Sequence, residues 1–187
     1  MADTPCFTDH FLIAMPALED PNFHRTVTLV CQHDAHGAMG IVINRAADYT
    51  LGELLEQLQL PTRDPALAQR ALVAGGPVHP DRGFVLHDDA RGWGSTLRFG
   101  RGLAVTTSRD ILAAMADGDG PRNALVALGY AGWTAGQLED ELAQNSWLTV
   151  PADQAIVFDT PLEERWHAAA RALGVDLSLL ADYAGHA

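Results

Sequence analysis

Several groups of residues have types and spacings that could do chemistry. Cys31, Gln32 and His33 stand in a row. A thiol beside an imidazole is the minimum for a thiolate nucleophile, because a nearby base or cation must lower the cysteine pKa. Cys31 also continues an apolar face begun by Val27 and Leu29. Buried cysteine is a common small hydrophobe, so core packing is its favoured role. His33 and His36 flank Asp34 across a hairpin. Two imidazoles and a carboxylate suit a divalent metal, with His79 or His87 to complete the set. The competing role is a wet hairpin tip without ligand, and no metal or cofactor is assigned.

Anion chemistry has more candidates. Thr107, Ser108 and Arg109 sit where a strand meets a helix start, a place that offers free amides and a favourable dipole. Simple capping by Thr107 or Ser108 competes with that role. Arg25 lies in the turn before one strand and Asn44 and Arg45 end the next, which puts Arg25 and Arg45 near one sheet end. Arg82, before Gly83, is a third arginine for a carboxylate or phosphate grip. Satisfying loop carbonyls is the structural alternative for all three. Trp133 and Gln137 belong to a strand, glycine turn and capped helix in which Gly132 and Gly136 allow close backbone approach. Trp133 is either a plug over the core or a ligand platform.

The elements that must position these groups show in the apolar pattern. Phe11–Met15 reads as a strand ended by Pro16, and Thr26–His33 as a half-buried strand by its alternation. Asp34–Gly37 makes a hairpin loop into Met39–Asn44. Short strands are expected at Ala71–Ala74, Phe84–Leu86, Thr96–Phe99, Leu103–Thr106, Ala124–Leu128, Trp147–Val150 and Ala155–Phe158. Capping boxes at Thr50 with Glu53, Thr134 with Gln137, and Thr160 with Glu163 announce helices. Behind them run stripes of Leu51, Leu54, Leu55 and Leu58, and of Leu162, Trp166, Ala169, Ala170 and Leu173 up to Gly174. Another helix starts near Ser108, buries Ile111, Leu112 and Met115, and stops at Gly118; a last short one lies between Asp176 and Tyr183. Hairpins come first and helices alternate later, which is mixed α+β rather than a regular βαβ rhythm.

Composition narrows the function classes. The 187 residues fit one domain, 1–187, with no repeat or linker. Net charge is −12, from 24 acids against 12 arginines, and there is no lysine. That excludes a Schiff-base or P-loop lysine and disfavours direct nucleic-acid binding, which draws its affinity from basic contacts. There is no G-x-S-x-G elbow, no G-x-G-x-x-G (Gly92-Trp93-Gly94 lacks the third glycine), no H-E-x-x-H, no EF-hand loop and no cysteine zinc spacing. Two distant cysteines, no signal segment and no span-length apolar run lead us to expect a reduced, cytoplasmic setting.

Four blocks carry a family resemblance: Phe11–Arg45, Gly75–His87, Val105–Leu112 and Leu128–Pro151. Together the chain resembles the AlgH/YqgE family of small bacterial proteins, from Phe11 to Gly185, His186 and Ala187 at the end. Gln32 stands where the family usually has Glu, which weakens any ligand or base role beside Cys31, and Ala46 stands where it usually has Pro. The resemblance implies a mixed, bent β-sheet that closes partly into a small barrel flanked by helices. It implies no established activity, and the family's name reflects a proposed regulatory link without a DNA-binding motif. The expectation is a non-enzymatic regulatory or interaction protein acting through protein partners. The alternative is an enzyme or small-molecule sensor that holds an anion in an arginine-lined cleft.

Overall fold

In the computed structural model, residues 5–184 are described, the last four by backbone alone. Residues 185–187, to which the resemblance extends, lie outside them. Ten strands form one bent sheet: β1 (His10–Ala14), β2 (Val27–Asp34), β3 (Gly37–Val42), β4 (Ala46–Thr50), β5 (Ala71–Ala74), β6 (Val78–His87), β7 (Thr96–Phe99), β8 (Leu103–Thr106), β9 (Ala124–Thr134) and β10 (Trp147–Pro151). The order is β10-β1-β2-β3-β9-β6-β8-β7, with β4 and β5 branching off beside β9. Every pairing is antiparallel except β5 with β9, so the expected mixed sheet curls into a half-barrel.

β1, β8 and most of β2 and β9 are apolar runs because both sheet faces are covered there. Successive side chains point to opposite faces. Phe11, Ile13, Val27, Leu29 and Cys31 thus fill the concave core, while Leu12, Ala14 and Val30 pack on the other side. The half-buried strand expected at residues 26–33 is corrected here: Thr28 and Val30 are as buried as Val27 and Leu29. Helices close each side. α5 (Gln154–Phe158), α6 (Arg165–Ala172) and α7 (Leu177–Ala184) cover the concave core with Ile156, Val157, Trp166, Ala169 and Leu177. α1 (Leu51–Gln57), α2 (Pro65–Ala68) and α3 (Arg109–Ala116) cover β5, β6 and β9 from outside with Leu51, Leu55, Leu67, Ile111 and Met115. α4 (Gln137–Ala143) places Leu138 against Trp133 and Trp147.

Local signals behaved unevenly. Thr50 and Glu53 form both bonds of a capping box. Ser108 begins α3, and Gly118, at φ +81°, follows its end. Residues 155–158, expected as a strand, are helical, because the Asp153 carboxylate caps the Ala155 amide and the buried pair Ile156 and Val157 packs one helix face on the core. No box forms at Thr160: its hydroxyl donates to the Ala155 carbonyl, and a 3₁₀ turn, Leu162–Glu164, leads into α6. At Thr134 only half the box survives, since α4 begins three residues later and the Gln137 side chain reaches back to the Thr134 N–H.

Candidate functional site

Most of the chemically capable groups are spent on holding backbone. Arg25, Asn44 and Arg45 do meet at one sheet end. The Asn44 side chain accepts from the Val27 N–H at 2.8 Å and donates to the Arg25 carbonyl at 2.9 Å. The Arg45 guanidinium donates to the carbonyls of Pro21, Asn22 and His24 at 2.8–3.1 Å. Arg25 lays its own guanidinium 4.5 Å from the centre of the Trp166 ring. All three thus clamp the turn before β2.

At the β8–α3 junction the place for an anion is taken by the chain's own carboxylate. Asp110 accepts from the Ser108 hydroxyl at 2.6 Å, from the Gly94 N–H at 2.7 Å and from the Ile111 N–H at 3.0 Å. These bonds, the Ser108 hydroxyl foremost, hold its pKa below the ordinary carboxylate range. Ser108 accepts from the Ser95 N–H, and the Thr107 N–H donates to the Ser95 carbonyl. Arg109 donates to the Leu58 carbonyl.

The histidines and cysteines are similarly committed. Buried His33 accepts the Phe7 N–H at Nδ1 (3.1 Å), so Nε2 carries the proton toward Glu139 Oε1 at 2.8 Å. Glu139 sits below its usual pKa through its own backbone N–H and this imidazole. His36 is exposed on the hairpin, and among the described residues no three His, Cys, Asp or Glu gather to hold a metal ion. Cys31 is in the core; burial, then the charge of Asp9, pushes its thiol far above the ordinary range. Fully buried His87 accepts the Asp89 N–H at Nδ1, so its Nε2 donates to Thr106 Oγ1 at 2.8 Å, which in turn meets Thr96 Oγ1 at 2.8 Å.

An open surface lies beside Arg82 and Trp133. It arises from a register break. β6 pairs with β9 at Val78–Tyr130, then skips to Gly83–Leu128, so residues 79–82 bow outward with His79 at φ +46°. Beyond Tyr130, β9 pairs with β3 alone. A groove of about 570 Å³ lies at this place, floored by Met39, Val78, Phe84, Tyr130 and Trp133. Arg82 lies at its side, its guanidinium 5.6 Å over the Phe84 ring. The Thr134 N–H bonds the Gln137 side chain rather than β3. Because orientation alternates along an antiparallel strand, the N–H and C=O of exposed Gly132 also face the groove. A side chain on Gly132 would point toward Tyr130 and Val78.

The structure therefore unites Arg82, Trp133 and, through Thr134, Gln137 at one groove. Arg25, Asn44 and Arg45 stand at a second place, and Thr107, Ser108 and Arg109 at a third. Met39 read only as part of an apolar strand, and Val78 and Tyr130 lie outside the strands expected at 84–86 and 124–128, because β6 and β9 run further than their apolar stretches. The glycines at 129 and 132 were the available signal, since Gly129 takes φ +78° where the register breaks.

The AlgH-like family model matches residues 11–178. A UPF0301 protein of Xanthomonas campestris pv. campestris (strain B100) is 62% identical over 179 residues, 96% of this chain and 95% of that one. A UPF0301 protein of Xanthomonas axonopodis pv. citri (strain 306) is 60% identical over the same shares. The solution structure of the AlgH protein from Pseudomonas aeruginosa superposes with TM-score 0.80 at 54% identity, covering 100% of this chain and 99% of that one. A crystal structure of a Corynebacterium diphtheriae protein matches with TM-score 0.72 at 20% identity over 97% and 94% of the two chains, a likeness of fold alone.

Proposed function

The chain belongs to the AlgH-like family, and we propose that it is a non-enzymatic, cytoplasmic regulatory protein that works by binding a protein partner. The observation that carries this reading is the groove at the end of β9 that pairs with β3 alone. An extended segment of the partner adds a strand against Gly132, and its apolar side chains seat on Met39, Tyr130 and Trp133. Main-chain bonds give affinity in such strand addition, and alternate side-chain pockets give selectivity. Arg82 selects a segment with an acidic residue beside the apolar anchors. Cys31 is buried and protonated and the imidazoles of His33 and His87 each hold two bonds, so the Cys31–His33 pair offers neither a thiolate nor a free base, which favours binding over catalysis there. Any regulation of transcription then runs through the partner, in keeping with the net charge of −12.

The rival, an enzyme or sensor using Arg25, Arg45, Arg82 and the Thr107–Arg109 helix start, has less support because those groups stand at three separate places, and Arg45 and Arg109 are spent on carbonyls. The test is a photo-crosslinking residue at Thr134 in living cells, followed by mass spectrometry. A discrete crosslinked protein that disappears in Tyr130→Ala and Gly132→Trp backgrounds is expected. Crosslinks indifferent to both substitutions, or metabolite turnover by the purified protein, would overturn the proposal.

A further inference from the structure

We propose that the cavity at the N-terminal ends of the parallel strands β5 and β9 is a binding site for a small, multiply charged anion, gripped by Arg70, Arg122 and Arg165. It lies at the other end of β9 from the groove and does not depend on it. The cavity measures about 460 Å³, within the usual range for small-molecule sites. Arg70 precedes β5, Arg122 precedes β9, and Arg165 opens α6, so three distant segments each bring one arginine to the cavity lining.

The chain has twice as many acids as arginines, yet among the described residues no carboxylate forms an ion pair with any of these three. Asp159 is the one acid on the wall, and it leaves the arginines unneutralised. Arg165 is only 5% exposed. Its Nε donates to the Thr160 carbonyl at 2.8 Å and its Nη1 to the Ile43 carbonyl. Nη2 makes no hydrogen bond within the described residues. Burial lowers its pKa to about 10. A buried charge without its partner is costly, and supplying the partner recovers that cost. Planar guanidinium forks match phosphate and carboxylate oxygens in pairs. Three of them suit an anion with several such oxygens, a phosphoester or a polycarboxylate. Leu125 and Phe158 on the same wall offer an apolar seat for its organic body.

The experiment is isothermal titration calorimetry of the full-length protein at low salt, with pyrophosphate and with citrate as probes. Arg70 and Arg122 are exposed, so Arg70→Gln and Arg122→Gln leave the fold intact, and Arg63→Gln, outside the cavity, is the control. Each of the first two should weaken binding about tenfold, their double variant about a hundredfold, and the control not at all. Arg165→Gln threatens folding, so Arg165 is followed in the intact protein by the nitrogen resonance of its Nε, which should shift on saturation. Preference for pyrophosphate assigns a phosphoester and preference for citrate a polycarboxylate. No binding of either probe up to millimolar concentration, or binding that survives the double variant, would overturn the proposal.

Discussion

Removing the carboxylate of Glu141 should loosen the wall on which the groove rests. One oxygen, Oε2, accepts both the Trp133 indole N–H at 2.8 Å and the Trp147 indole N–H at 2.9 Å, and Oε1 accepts from Gln137 at 3.2 Å. The two tryptophans are 5% and 4% exposed. Glu141→Ala leaves two buried donors without a partner. Each orphan costs about 1–3 kcal/mol, and because Glu141 is half-buried water reaches part of the gap, so the lower half of the sum, about 3 kcal/mol, is expected. For a chain of this length that is a fall of about 6–12 °C in Tm. Glu141→Gln keeps an oxygen at the junction and loses only the charge, so about 1 kcal/mol and about 2–4 °C are expected. Circular dichroism melts with matched urea titrations give both values, and tryptophan emission reports the two indoles. A Glu141→Ala protein within about 0.5 kcal/mol of wild type would refute the reasoning, since that is the range of an ordinary surface change.

Three further outcomes are expected. The pKa of His87 is lowered from 6.5, chiefly by burial, with Asp89 and Asp88 opposing that shift and Arg98 and Arg91 adding to it. The native state therefore refuses a proton that the unfolded state accepts below 6.5. Stability from this group is complete above 6.5 and is lost as pH falls through the native value, by up to about 1.4 kcal/mol per pH unit; urea titrations at several pH values should show this slope flattened in His87→Gln. Lowered carboxylates such as Asp89, from 3.8, act in the same direction at more acidic pH. A chromogenic disulfide reagent should find one fast thiol, exposed Cys6, and reach buried Cys31 only after denaturant is added; two fast thiols would contradict the packing. Gly76→Ala should destabilise by more than about 2 kcal/mol, because its Cβ would stand 2.2 Å from the Tyr130 carbonyl at φ +152°, whereas Gly83→Ala, facing open space, should melt near wild type.

How much was legible depended on whether the deciding interaction was local. The cap of α1, the start of α3 at Ser108 and the turn at residues 35–36 each rest on groups a few positions apart, and all were readable. Residues 155–158 were misread because four apolar residues carry no period that separates strand from helix. The meeting of Arg25 with Arg45 was also readable, as the hairpin of β2 and β3 brings their positions together. That both would be turned inward, one onto Trp166 and the other onto three carbonyls, depended on α6 and on the path of the turn.

The sequence by itself determined the family, the mixed class, the apolar strand runs and the exclusion of lysine-dependent chemistry. Tertiary structure alone decided the sites. The groove exists because β6 loses register with β9 at Tyr130, and the arginine-lined cavity exists because β5 pairs in parallel with β9 under the start of α6. Periodicity and capping report forces between near neighbours in the chain. Strand register and the meeting of Arg70, Arg122 and Arg165 are settled by how all the apolar faces are buried at once, and no window of sequence contains that sum.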